Sequence, residues 1–92
     1  MIKVDSVSII DIFCIMKNGI AILLSVKLGQ KIYEFIFWFN AEDQYMIIAD
    51  DNFLTHYQIE DFYDYMYYRE LAIEMNNAIQ NKNELLKQYG FI

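Results

Sequence analysis

Proline is missing from this 92-residue chain, glycine occurs only three times, and there is one cysteine and one histidine. With sixteen aromatic residues beside three glycines and no proline, a disordered tail, a collagen-like chain and a proline-rich linker are all excluded. The single Cys14 excludes an internal disulfide framework. Its neighbours Phe13 and Ile15 predict a buried, inert thiol in a reducing, cytoplasmic setting. Long uncharged runs are lacking too: Asn18 to Val26 spans nine residues, far short of the ~20 that cross a bilayer. The opening residues, Met1 to Asp5 with Asp11 close behind, do not read as a secretory signal. Ninety-two residues leave room for one domain, residues 1–92.

What the chain has in excess is acid and aromatic rings, and it has them in the same place. The formal net charge is −6. Residues 1–31 carry a net +2, whereas Tyr33 to Tyr68 contains eight acids and no Lys or Arg. Thirteen of the sixteen aromatic residues fall in that same window. Direct nucleic-acid binding needs a basic footprint, so this charge balance argues against it.

The hydrophobic period divides the chain into strands followed by helix. Ser8 to Met16 is a nearly unbroken apolar run leading into Lys17-Asn18-Gly19, where Asn-Gly signals a hairpin turn. Ile20 to Leu28 alternates, Gly29-Gln30 makes a second turn, and Lys31 to Asn40 forms a third strand. The odd face of that strand is wholly aromatic (Tyr33, Phe35, Phe37, Phe39), and its even face reads Ile32, Glu34, Ile36, Trp38, Asn40. Ala41 to Gln44 is a further turn before a short fourth strand, Tyr45 to Ala49. Thr55 and Gln58 match a capping box. Beyond it, residues 58–80 separate on a helical wheel into a broad apolar arc and an acidic, tyrosine-bearing arc. On the wheel Leu71 falls with the wet arc, Ile73 with the covered one, and Tyr65 and Tyr68 in the core. A break at Asn81 to Asn83 precedes a last helix around Glu84 to Gln88, stopped by Gly90. The expected fold is therefore α+β: an antiparallel meander of about four strands, then a long amphipathic helix and a short C-terminal helix.

Catalytic chemistry finds little support in these residues. His56 is the only histidine, far in sequence from Cys14, and Asp50-Asp51-Asn52 lacks the alternating ligand spacing of a calcium loop. No zinc spacing and no glycine-rich phosphate loop occurs, so neither a metal nor a cofactor is expected, and the chain is read as a non-enzyme.

Binding is the stronger reading. Glu60 with Asp64, and Glu70 with Glu74, are like charges four apart, each pair costing a helix roughly 0.2–0.5 kcal/mol without a compensating base. Near the helix start the dipole offsets that cost for Glu60 and Asp64, but not for Glu70 and Glu74. Tyr63 and Tyr67 lie on the same arc, and tyrosine is enriched at protein interfaces. Glu60, Tyr63, Asp64, Tyr67, Glu70 and Glu74, extended by Asp50, Asp51, Glu42 and Asp43, are thus candidate partner-binding residues. The expected partner is a basic protein, such as a nuclease or CRISPR effector, whose groove for nucleic acid the carboxylates would occupy. In size, acidity and α+β make-up the chain resembles phage-encoded anti-CRISPR inhibitors and the acidic immunity proteins that neutralise nuclease toxins. The resemblance is one of profile across the chain and implies an inhibitor in the host cytoplasm. The alternative is a structural accessory protein. If the helix covers the aromatic sheet face, Ile32, Ile36 and Trp38 on the other face need a cover, which a homodimer would supply.

Overall fold

The computed structural model describes residues 3–50, 53–54 and 65–92. Four strands, β1 (Ser6–Ile15), β2 (Ile20–Leu28), β3 (Lys31–Phe39) and β4 (Tyr45–Ala49), form one antiparallel sheet in the order β1-β2-β3-β4. Among the described residues, the helices α1 (Tyr65–Ala78) and α2 (Lys82–Gln88) follow. The class is α+β, as the switch of hydrophobic period predicts. Of the helix expected over residues 58–80, α1 accounts for 65–78, and residues 58–64 lie outside the described set.

One sheet face is the core. Ile20, Ile22, Leu24, Val26 and Leu28 from β2 lie beside Tyr33, Phe35, Phe37 and Phe39 from β3, all buried. Phe53 closes over them with its ring edge-on to Tyr33 and Phe35, at centroid distances of 5.6 and 5.0 Å. Such offset aromatic pairs add about 0.5–1.5 kcal/mol to simple burial. Helix α1 contributes Leu71, Ala72 and Met75 to this layer, with Ile79 just past its end and Leu86 from α2.

The helix docks by a narrower stripe than the wheel suggests. Leu71, expected on the wet arc, is fully buried, and Ile73, expected under cover, is 41% exposed. Residues 71, 72, 75 and 79 span only about 100° at 3.6 residues per turn. The wheel's arc is carried away from Leu71 by Ile59, Phe62, Met66 and Ile73, which polarity alone groups with Ala72, Met75 and Ile79. Tyr68 is in fact half-buried, its ring 6.4 Å from Phe53.

Each turn has its own local cause. Gly29, with φ of +64°, opens the two-residue β2–β3 turn between paired Leu28 and Lys31, a position that favours glycine. In the β3–β4 turn the buried Asn40 is the organiser. Its Oδ1 accepts from the Glu42 and Gln44 N–H groups at 3.0 Å each, and its Nδ2 donates to Gln44 Oε1 at 2.9 Å. The β1–β2 hairpin forms, but not through a left-handed Asn-Gly pair: positive φ occurs at neither Asn18 nor Gly19. Its closing bond runs instead from the Met16 N–H to the Gly19 carbonyl at 2.9 Å. Gly19 is required for another reason, a close approach to Trp38 and the Phe39 carbonyl.

Helical backbone begins before Thr55. Asp50 accepts from the Phe53 N–H through Oδ1 at 2.8 Å and from the Leu54 N–H through its carbonyl at 3.2 Å, the geometry of an N-cap. Thr55 and Gln58 lie outside the described residues. Gly90 stops α2 as expected: at φ of +82° it lets Gly90 donate to the Lys87 carbonyl and Phe91 to the Leu86 carbonyl, a Schellman motif.

Candidate functional site

Among the described residues, the helices and Phe53 cover one face of the sheet only, and the register shows what the other face presents. Cys14, Ala21, Trp38 and Met46 line up across the four strands, and the next row is Asp11, Leu23, Ile36 and Ile48. A third row holds Ser8, Ser25 and Glu34, and a fourth Ser6, Lys27 and Ile32. This outer face is therefore apolar toward the β1–β2 turn and polar toward the β2–β3 turn. Ile48 is 60% exposed, Met46 57% and Ile32 66%. Phe13, displaced beside a register shift in β1, adds another large side chain at 60% exposure. Scattered exposed apolar residues are ordinary, but a contiguous patch of this kind marks an interaction surface.

A groove of about 510 Å³ runs over the apolar half, lined by Phe13, Cys14, Ala21, Ile36, Trp38 and Met46 among others. At its floor Trp38 packs on Gly19 so closely that no side chain fits between them. The indole Nε1 is shut off from solvent and has no hydrogen-bond partner among the described residues. Ile32, Ile36 and Trp38 all lie on this face, as their alternation in β3 predicts. Sequence reasoning missed Phe13, Met46 and Ile48. The alternation in β4 could have revealed the last two, whereas the two register shifts in β1 hide which residues of that strand turn outward. Cys14 is a correction: its thiol is exposed, because its neighbours Phe13 and Ile15 are themselves uncovered.

The acidic candidates are placed less coherently. Asp51, Glu60, Tyr63, Asp64 and the side chain of Tyr67 lie outside the described residues, as does His56. Glu42 and Asp43 are exposed in the β3–β4 turn, while Asp50 follows the opposite end of β4, a strand of five residues or roughly 17 Å. Asp50 is half-buried and engaged as a cap, with Oδ2 also accepting from the Glu34 N–H at 3.4 Å. Asp43 faces an intramolecular cation. Burial holds the Lys82 ammonium below the usual lysine range, and attraction from Asp43 opposes that shift. Lys82 donates to Asn76 Oδ1 and lies 6.0 Å from the Tyr45 ring centroid. On α1, Glu70 is exposed, but Glu74 is half-buried with Oε2 enclosed and without a hydrogen-bond partner among the described residues. The uniform acidic row expected of Glu70 and Glu74 is thus broken, because Glu74 flanks the buried stripe.

A second groove, about 600 Å³, separates β4 from α1 and is lined by Tyr45, Met46, Ile47, Tyr68, Arg69 and Ala72, among others. Among the described residues no group of three or more His, Cys, Asp or Glu side chains could hold a metal ion. Among them, too, no helix is long and apolar enough to cross a membrane. Compared with protein-family models, curated proteins and solved structures, the chain matches none.

Proposed function

We propose that this chain is a structural accessory protein that works by association rather than catalysis, pairing with a second copy through the outer face of its sheet. One observation carries the reading: a sheet that the described residues pack on one side only, with Phe13, Ile36, Trp38, Met46 and Ile48 grouped on the other. In a domain of this size, which buries only about 60–65% of its chain surface on folding, a sandwich made with a copy supplies the missing layer. Acids at the rim and on the helices keep the assembly soluble. The exposed Cys14 thiol suits a reducing compartment, which favours the cytoplasm. Sedimentation equilibrium tests the reading. Wild-type chain gives a dimer mass, and Ile48→Asp, at a solvent-facing position, gives a monomer with an unchanged circular dichroism spectrum. A wild-type monomer across the accessible concentration range sinks it.

A second reading keeps the acidic surface as the working part, and the exposed Glu42, Asp43 and Glu70 on a chain of net charge −6 favour it. In that reading the chain is an anti-CRISPR-like inhibitor that captures a basic nuclease or CRISPR effector and excludes nucleic acid. Its affinity falls steeply with salt. Reversing Glu60, Asp64 and Glu70 to Lys abolishes capture, and unchanged capture ends this alternative.

A further inference from the structure

We infer that the two copies pack face to face about a two-fold axis lying along the strands, with Lys27 of each chain paired to Glu34 of the other. This rests on the self-association reading above and adds which way round the copies meet.

The polarity of the face selects the axis. A two-fold parallel to the strands keeps every row opposite the same row of the second copy, so the two apolar rows meet their counterparts, with Asp11 at the β1 edge the one charged residue among them, opposite Ile48 of the second copy. It also reverses strand order, laying β1 over β4 and β2 over β3. A two-fold running across the strands matches apolar with apolar only when the copies slide apart, leaving the two polar rows and Ile32 overhanging. Area then decides between them. Four strands measure roughly 19 Å across and four two-residue rows roughly 27 Å along, a flat footprint of about 500 Å² that side-chain relief enlarges. A stable interface buries about 600 Å² or more per partner. Full overlap comes close to that value, whereas half overlap, about 250 Å², falls far short.

The polar end then becomes complementary instead of merely tolerated. Glu34 on β3 comes over Ser25 of the second copy, one row from its Lys27 on β2. The lysine head reaches that carboxylate while its stem lies over Ile32 of the first copy, the most exposed large apolar residue described. Symmetry makes the contact twice. Lys27 and Glu34 are the only charged residues that β2 and β3 place on this face, one of each sign, and both are exposed.

Charge reversal and cross-linking test the arrangement on the intact chain. Glu34→Lys alone, or Lys27→Glu alone, raises the dimer dissociation constant about tenfold, and the double exchange returns it to near the wild-type value. Facing sheets are about 10 Å apart, so a short bismaleimide links Cys14 of one copy to position 46 of the other in a Met46→Cys variant. It leaves wild-type chains unlinked, because the two Cys14 residues lie on opposite edges of the interface. Efficient linking of wild-type chains through Cys14, or a double exchange no better than either single reversal, overturns the axis while a dimer mass leaves self-association standing. A wild-type monomer overturns both.

Discussion

Replacing Gly19 with alanine adds one methyl group at a place where the structure leaves no room for it. The new Cβ would stand 2.5 Å from the Phe39 carbonyl oxygen, 2.6 Å from Trp38 Nε1 and 2.8 Å from Trp38 Cε2. Comfortable separations for such atoms are about 3.5 Å, so the shortfall is about 1 Å on two sides at once. The carbonyl belongs to β3, held to β2 through the Ile20–Phe39 pair, and cannot retreat without opening the sheet. The indole must therefore swing outward. Overpacking of this kind costs about 1–3 kcal/mol, offset by about 0.4–1 kcal/mol because alanine restricts the unfolded chain. The expected net loss is about 1–2 kcal/mol, a drop in melting temperature of roughly 4–16 °C for a domain of this length. Urea denaturation followed by circular dichroism measures the loss, and Trp38 emission reports the displaced ring. Gly29→Ala is the control: nothing lies within 4 Å of its Cβ, so it costs about 1–2 kcal/mol through its φ of +64° alone, with Trp38 emission unchanged. A Gly19→Ala protein within about 0.5 kcal/mol of wild type, with identical emission, refutes the close approach of Gly19 and Trp38.

Leu71→Ala is expected to destabilise by about 2–5 kcal/mol and Ile73→Ala by well under about 1 kcal/mol, and equal losses in denaturant titrations contradict the docking stripe. Asn40→Ala strands the Glu42 and Gln44 N–H groups, costing about 1–3 kcal/mol, and amide exchange should quicken first in the β3–β4 turn. Lys82 makes stability depend on alkaline pH. With its folded pKa depressed by burial, the unfolded chain binds the extra proton between that value and 10.5. Stability therefore rises with pH through that interval. Lys82→Met should abolish the rise, and an unaltered pH profile counts against a desolvated ammonium.

Much of the strand layout was legible because a period of two is a local property. The alternation in β2 and β3 located Phe35, Phe37 and Phe39 in the core and Ile32, Ile36 and Trp38 on the other face. Cys14 was misread because an apolar neighbourhood in sequence implies burial only when something covers that neighbourhood. Leu71 was misplaced for a related reason: a wheel ranks residues by polarity, but the docking partner selects which stripe is buried. The acids illustrate a third limit. Asp43 and Asp50 are close in sequence, yet β4 holds them apart, and one faces Lys82 while the other caps a helical turn.

By itself the sequence determined the α+β class, the order of the strands, the separation of an aromatic from an aliphatic sheet face, and the concentration of negative charge in its middle. These follow from residue type and spacing, which act over a few residues. Only the tertiary structure decided that the described helices leave one sheet face uncovered, that Phe13, Met46 and Ile48 join Trp38 upon it, and that Gly19 serves packing instead of a turn. Those outcomes depend on which surfaces meet across distant segments, and local periodicity carries no information about that.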